Sequence, residues 1–343
     1  MEKVLLGMSG GVDSTVSAII LKEKGYEVIG CTMILNGKEE ETVKEVKKIC
    51  DILKIPHYTF DFRKEFKCYV VNKFIEEYKI ARTPNPCVEC NKKMKFGIFY
   101  EKAKELGCKY IATGHYAKIE FSDKYNQYVL RKSEEEKKDQ TYFLYGIKKE
   151  ELENIIFPLE NYKNKEEIRK IALENNLSVA KKKDSQEICF IENNDYQKFL
   201  LENLKEKPKK GNIKLKTGEI LGKHNGIINY TIGQRKGLGI SYKFPLYVID
   251  LDYKNNEVIV GKEEDLYSKN LIAKDLNFQV EVDKEFISFA KIRYRAKESK
   301  AKIKIINNVA EVEFYEPQRA ITKGQSVVFY DEDGIVLGGG IIS

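Results

Sequence analysis

The sequence predicts an α/β protein with a β-rich second half, and three observations carry that reading. Short apolar runs alternate with amphipathic stretches over the first two hundred residues, as in a parallel sheet covered on both faces. In "LKEKPKKGNIKLKTGE" lysines, a proline and glycines crowd together and helical periodicity stops. Beyond it, short segments alternate apolar and polar residues with turn signals between them. The expectation is a doubly wound parallel-sheet domain over 1–203, a small central mixed β domain over 204–268, and an antiparallel β-barrel over 269–343.

Taken in order, "KVLLGM" is a continuous apolar strand, and "VDSTVSAIILKEKG" is a helix that Gly25 ends. "YEVIGCTMIL" is again strand-like. "ETVKEVKKICDILK" puts Val43, Val46, Ile49, Cys50 and Leu53 on one helical face. "HYTFDF" is a strand and "KEFKCYVVNKFIEEYK" a helix. "KKMKFGIFYEKAKELG" is a helix ending at Gly107, before the strand in "KYIATGH". After the junction, "LYVIDLDYKNNEVIVG" reads as a hairpin with Asn255-Asn256 at its turn. "FAKIRYRA", "KAKIKIIN", "VAEVEFYE" and "SVVFYDEDGIVLGGG" supply the barrel strands.

Composition narrows the class. At 343 residues and 42% hydrophobic, the chain is long enough for more than one core. No run approaches the roughly 18 apolar residues of a membrane span, and "MEKVLLGMSGG" has neither the length nor the cleavage site of a signal peptide. A cytoplasmic protein with no membrane partner is expected. Seven cysteines, an odd number, then read as reduced thiols at rest. The net charge of +7 permits an acidic partner without requiring one.

"GMSGGVDS", Gly7 to Ser14, stands between the first strand and the first helix. Glycines there aim backbone N–H groups at an anion, the helix N-terminus adds its dipole, and Ser9 and Ser14 add hydroxyls. Asp13 is placed to hold a magnesium ion or the loop itself. An ordinary βα turn needs glycine but not this Ser-Gly-Gly-x-Asp-Ser order. No Gly-Lys-Ser/Thr follows, so this is not the kinase-type loop. It resembles the pyrophosphatase loop of ATP-pyrophosphate enzymes, which implies ATP and magnesium and leaves the acceptor open.

"TPNPCVECN" sets Cys87 and Cys90 three positions apart, and Pro84 and Pro86 are expected to hold the stretch out of helix. A zinc site needs about four ligands, and neither a second C-x-x-C nor a paired histidine exists, so no metal site is expected. Cys31, Cys50, Cys68 and Cys108 sit inside strand or helix patterns as buried thiols. Cys189, in "DSQEICF", follows the lysine run Lys181 to Lys183, whose charge would depress its pKa. Paired with Cys90 it would make a sulfur-handling site.

"GMSGGVDS", "TPNPCVECN", "ATGHYA", "KDQTYFL", "DSQEICF", "YTIGQRKGLGI", "RYR" and "GQSVVFY" occur in this order along almost the whole chain. Together they closely resemble the bacterial tRNA-specific 2-thiouridylases, which place sulfur on a wobble uridine. The resemblance implies that Gly7, Met8, Ser9, Gly10, Gly11, Val12, Asp13 and Ser14, with Met33 and Gly114, hold ATP. It makes Cys90 the nucleophile and Cys189 the persulfide carrier. Asn85, Pro86 and Cys87 fall where the target base is met. His115, Lys138, Asp139, Gln140, Arg293, Tyr294 and Gln325 fall at tRNA-contacting positions. Without the resemblance, His115 reads as a satisfied histidine at a strand end, and Lys138 to Gln140 as a solvated loop.

Partners implied are the anticodon stem-loop of tRNA and a protein that donates persulfide or sulfide. Basic stretches "NKKMK", "KEKPKK" and "KIRYRAKESKAKIK" suit RNA phosphates. The resemblance implies that adenylation turns the uracil C2 oxygen into a leaving group, and that a persulfide on Cys189 then attacks C2 directly or Cys90 releases hydrosulfide from it and leaves a Cys90–Cys189 disulfide. Four departures stand out. Cys87 replaces an aspartate common in relatives, Glu187 another aspartate, and Lys323 a proline, while "ILNGKEEETVKEV" lacks the tryptophan and acidic stretch expected after Met33. With Cys87, the three thiols are also a ligand set for an iron–sulfur cluster with one open iron. Two rival readings are a ligase of the same loop class with an amine acceptor, and an inert tRNA-binding relative.

Overall fold

The computed structural model describes residues 1–182 and 188–343. Its first sheet contains β1 (Lys3–Gly7), β2 (Glu27–Ile34), β3 (His57–Asp61) and β4 (Tyr110–Thr113). A hairpin of β5 (Lys118–Ser122) and β6 (Gln127–Arg131) follows, and the two-residue β7 (Ile155–Ile156) returns to the sheet. The order is β3-β2-β1-β4-β7 with every neighbour parallel. The chain steps outward from β1 to β3 and then resumes at β4 on the other side of β1. Open α/β sheets bind their ligands at the carboxyl ends of strands where the order reverses, here between β1 and β4.

Alternate residues of β1 serve two cores. Leu5 joins Ile29, Cys31 and Ile111 on one face, while Val4 and Leu6 join Val28 and Ala112 on the other. A strand covered on both sides has no polar face, hence the unbroken apolar run. Helix α1 (Val12–Glu23) is buried along most of its length, and helix α2 (Glu40–Leu53) buries Val46, Ile49, Cys50 and Leu53. One long helix joins Arg63–Phe66, Lys67–Val71 and Asn72–Lys79, and another joins Pro86–Glu89, Cys90–Ile98 and Phe99–Glu105. The middle of each is wound as π-helix.

The second of these corrects an expectation. Pro86 does not hold the cysteines out of helix; it occupies the first turn, with the Asn85 side chain accepting from the Cys87 N–H at 3.1 Å. A proline there loses no helical hydrogen bond, and its φ is already suited to the helix. Cys87 and Cys90 are therefore helical residues.

The central sheet is mixed, as expected: β8 (Gly211–Leu215), β9 (Ile220–His224), β10 (Tyr247–Asp252) and β11 (Glu257–Gly261) order as β10-β11-β8-β9. Only β8 and β11 run parallel, and the β10–β11 hairpin turns through Asn255 and the left-handed Asn256. The last six strands are β12 (Tyr267–Phe278), β13 (Glu285–Lys291), β14 (Ser299–Ile306), β15 (Val309–Arg319), β16 (Ser326–Tyr330) and β17 (Val336–Ile342). They close an antiparallel barrel in the order β12-β15-β14-β13-β16-β17. In β14, Ala301 and Ile303 point inward between exposed lysines, the alternation read in the sequence. Among the described residues no helix is long and apolar enough to cross a membrane.

Barrel and first domain are joined by residues 139–147. Tyr142 donates to the Ser326 carbonyl at 2.9 Å, the Tyr145 hydroxyl lies 3.1 Å from Ser326 Oγ, and Asn277 Nδ2 donates to the Tyr145 carbonyl at 2.7 Å. Val328, Tyr330 and Val336 of the barrel belong to the same core as the sheet.

Candidate functional site

At the end of β1 the backbone turns through Gly10, whose φ of +71° glycine adopts without strain. Ser14 Oγ accepts from the Ser9 N–H at 3.2 Å and donates to the Gly11 carbonyl at 3.2 Å, which fixes the loop's curvature. No side chain caps the start of α1. Its first N–H groups thus remain available to an anion, with the helix dipole behind them. Met8 and Val12 are buried in the core, so they contribute backbone and packing to the loop.

Each carboxylate oxygen of Asp13 has a donor. Its Oδ1 accepts from the Tyr116 hydroxyl at 2.8 Å and its Oδ2 from Lys165 Nζ at 2.5 Å. Gly114 follows β4, and a Cβ there would stand 2.9 Å from the Ser14 nitrogen and 3.0 Å from the Asp13 carbonyl carbon. Only glycine lets that strand end approach the loop so closely. Met33 lies at the far end of β2, within packing distance of Gly7. The short segment after it is closed by Glu39, whose Oε1 accepts from the N–H groups of Leu35 and Asn36 at 3.1 Å each. Asn36 Nδ2 then donates to the Cys189 carbonyl at 3.3 Å. The stretch that departs from the resemblance thus supports the second cysteine.

Beside the loop, Cys87, Cys90 and Cys189 come close enough to repel one another as thiolates, and Lys95 acts on all three. Burial pushes the Cys90 thiol up to about 11; Lys95 opposes the shift and Cys87 adds to it. Cys189 rises to about 12, mainly through burial and then through Cys90 and Cys87. Cys87 and Cys189 nonetheless remain open to solvent, so the thiols line a recess with an open mouth. The Cys189 pKa is raised, not depressed as expected: Lys95 pulls it down, and burial outweighs that pull. The remainder of that motif, Asp184 to Glu187, lies outside the described residues, as does Lys183.

The iron–sulfur expectation does not fit this arrangement. Among the described residues no group of three or more His, Cys, Asp or Glu side chains is arranged to hold a metal ion.

His115 is buried, with Nδ1 at 2.7 Å from Thr113 Oγ1 and Nε2 at 3.3 Å from Lys95 Nζ. Burial and the Lys95 charge hold its pKa well below the ordinary value. The ring is therefore neutral, and beside an ammonium its Nε2 accepts while Nδ1 carries the proton.

The other RNA-contact candidates meet at the joint with the barrel. Gln140 Oε1 accepts from the Tyr116 N–H at 2.9 Å. Tyr294 packs on Phe143 with ring centroids 4.4 Å apart. Three side chains are committed inside the protein. Asp139 is buried and accepts from the Thr141 hydroxyl at 2.7 Å. Arg293 donates to the Ala320 carbonyl at 2.8 Å, and Gln325 Nε2 to the Thr83 carbonyl at 2.7 Å. Lys138 is half-buried. The solvated-loop reading of Lys138 to Gln140 thus fails at Asp139.

Sequence reasoning missed Lys95, Tyr116 and Lys165. Tyr116 stood within a quoted motif, and Lys95 within a basic stretch, but Lys165 opens a helix that reads as ordinary surface.

Comparison with known proteins follows this geometry. Residues 2–193 match a model described as tRNA methyl transferase HUP domain. Residues 197–262 match a tRNA methyl transferase PRC-barrel domain, and 268–342 an aminomethyltransferase beta-barrel domain. The tRNA-specific 2-thiouridylase MnmA 2 of Thermoanaerobacter sp. (strain X514) is 50% identical, over 99% of this chain and 98% of its own. The tRNA-specific 2-thiouridylases MnmA of Clostridium botulinum (strain Alaska E43 / Type E3) and Clostridioides difficile (strain 630) are 49% and 47% identical over the same shares. With that identity sustained across all three domains, the chain belongs to the tRNA-specific 2-thiouridylase family.

Proposed function

We propose that this protein is a tRNA-uridine 2-sulfurtransferase, which adenylates the wobble uridine at its C2 oxygen and replaces that oxygen with sulfur. One observation carries the reading: the strand end Thr113–Tyr116 touches both halves of the chemistry. Gly114 and Tyr116 pack on and bond the phosphate loop, while His115 holds Lys95 beside the thiols. Nucleotide and sulfur are thus presented to one base. A methyl transfer, which the domain descriptions name, needs neither a phosphate loop nor three thiols.

In the reaction, the uracil O2 attacks the α-phosphorus of ATP and pyrophosphate leaves into the N–H groups of Gly7 to Ser14. Magnesium would sit with the phosphates near Asp13 and offset their charge. Sulfur reaches C2 from the persulfide on Cys189, directly or as hydrosulfide freed by attack of Cys90. AMP leaves; on the direct route Cys90 then attacks the Cys189 sulfur and breaks its bond to the transferred sulfur, and on either route a Cys90–Cys189 disulfide remains for a thiol reductant. A donor protein loads Cys189. The wobble base reaches the recess by leaving the anticodon stack, past Asn85, Pro86 and Cys87, with Met33 near the adenosine.

The RNA is held, on this reading, by the face where the joint meets the barrel, with Lys138, Gln140 and Tyr294 toward it and His115, Asp139, Arg293 and Gln325 shaping it. A catalytic unit 1–203, a central unit 204–268 and a tRNA-contacting unit 269–343 divide the work, in the cytoplasm where charged and uncharged tRNA circulate. Nucleoside mass spectrometry on unmodified tRNA incubated with protein, magnesium-ATP and a persulfide donor tests the proposal. 2-Thiouridine should appear with wild type and not with Cys189→Ser. ATP consumption with tRNA but no thiouridine would instead favour a ligase with another acceptor.

A further inference from the structure

We infer that Lys95 is a catalytic residue of the sulfur-transfer half of the site, holding the reacting sulfur of Cys90 and Cys189 as an anion; the inference deepens the function proposed above and rests on it. Two geometric observations place it there. Cys90 and Lys95 are five residues apart, and the whole segment Cys90–Ile98 is wound as π-helix. At 3.6 residues per turn, position i+5 would lie about 140° round the helix from position i. In π-winding i and i+5 are the hydrogen-bonded pair, and the angle between them narrows to about 50°. The unusual winding therefore brings the lysine onto the face of the nucleophile.

The second observation is the buttress. Lys95 Nζ lies 3.3 Å from His115 Nε2, and the ring is fixed from its other side by Thr113 Oγ1 at 2.7 Å. Phe96 and Phe157 flank the imidazole, each with centroids 5.9 Å from it. A neutral histidine takes one of the ammonium's three donors without neutralising its charge. Among the described residues no carboxylate pairs with Lys95. The ionisable groups that face it are His115 and the thiols of Cys87, Cys90 and Cys189, and its charge favours the anion at each thiol.

The chemistry requires such a cation. The thiols of Cys90 and Cys189 are both shifted upward, which protects them from oxidation but leaves each a weak nucleophile. When Cys90 attacks the Cys189 persulfide, one sulfur–sulfur bond forms and one breaks, and negative charge moves from Cys90 to the departing hydrosulfide. Throughout, that charge stays among the thiols on which Lys95 acts. A fixed cation in a site partly closed to water stabilises it most where it develops.

Lys95→Gln and Lys95→Arg separate charge from shape, because glutamine can still donate to His115 but carries no charge. Iodoacetamide labelling of Cys90 and Cys189 would be followed against pH in the full chain by peptide mass spectrometry. Lys93→Gln, an exposed neighbour, serves as control. Lys95→Gln should slow labelling of both cysteines by roughly three- to tenfold near pH 8.5 and move the profile to higher pH, as expected for the loss of a nearby cation. Lys95→Arg should restore most of the rate, and Lys93→Gln should match wild type. Equal labelling of Lys95→Gln and wild type across the pH range, or an arginine variant as slow as the glutamine one, overturns the inference. Labelling needs no tRNA, so this result stands apart from whether thiouridine is made.

Discussion

The phosphate loop and the thiol recess stand on either side of one strand end, yet they are built in opposite ways. The loop is one contiguous stretch, Gly7 to Ser14, whose donors are mostly backbone and whose shape is set by bonds between Ser9, Gly11 and Ser14. The recess draws Cys87, Cys90 and Lys95 from one helix, His115 from the end of β4, and Cys189 from a segment far along the chain. A backbone site depends on local conformation and tolerates little change in it. A side-chain site depends on packing, and its groups can be removed one at a time. The two halves should therefore fail separately.

The largest expected effect is on the recess. Cys90→Ser or Cys189→Ser should lower 2-thiouridine formation by on the order of 10³-fold or more, as losing a covalent nucleophile does. Pyrophosphate release driven by tRNA should persist in both. Gly114→Val should do the reverse damage, since its Cβ meets Ser14 and Asp13 backbone and side-chain atoms at 2.9 to 3.1 Å. Displacing the loop by a fraction of an ångström should cut pyrophosphate release on the order of 10²-fold, while labelling of the cysteines stays as in wild type. If Gly114→Val instead alters the thiols and spares ATP turnover, the division of labour is wrong.

Smaller effects sharpen the role of the joint. Tyr142→Phe leaves the buried Ser326 carbonyl without its 2.9 Å donor and should cost about 1–3 kcal/mol of stability by denaturant unfolding. Its activity loss should follow that destabilisation. The smallest effect is that of pH. Burial depresses His57, His115 and His224 below their ordinary value. Unfolded histidines take up protons near pH 6.5, while the folded ones do so only at lower pH. The unfolded state then binds more protons, so stability falls as the pH drops through that value. Between pH 7.5 and 5.5 the melting temperature should fall by about 2–6 °C; a flat profile would show the histidines to be hydrated.

The contrast also explains what was legible beforehand. Gly7 to Ser14 could be read as a string because its shape is set by its local backbone. Cys90 and Cys189 were legible as candidates, but their shared recess was not, since a pairing across the fold leaves no spacing signal. Pro86 misled because proline bars a helix interior and favours its first turn alike; the Asn85 cap was the missed cue. The π-winding that turns Lys95 toward Cys90 has no signature in residue periodicity. Asp139 read as a solvated loop residue, yet Thr141 and the Ser133 N–H satisfy its buried carboxylate, and only the tertiary fold supplies them.

If one active site holds two separable halves, the Cys90→Ser/Cys189→Ser double variant should keep one and lose the other. Pyrophosphate release and 2-thiouridine would be measured in the same reaction with unmodified tRNA, magnesium-ATP and a persulfide donor. The account predicts tRNA-dependent pyrophosphate release close to the wild-type rate, with no 2-thiouridine. Thiouridine formation without either cysteine would contradict it.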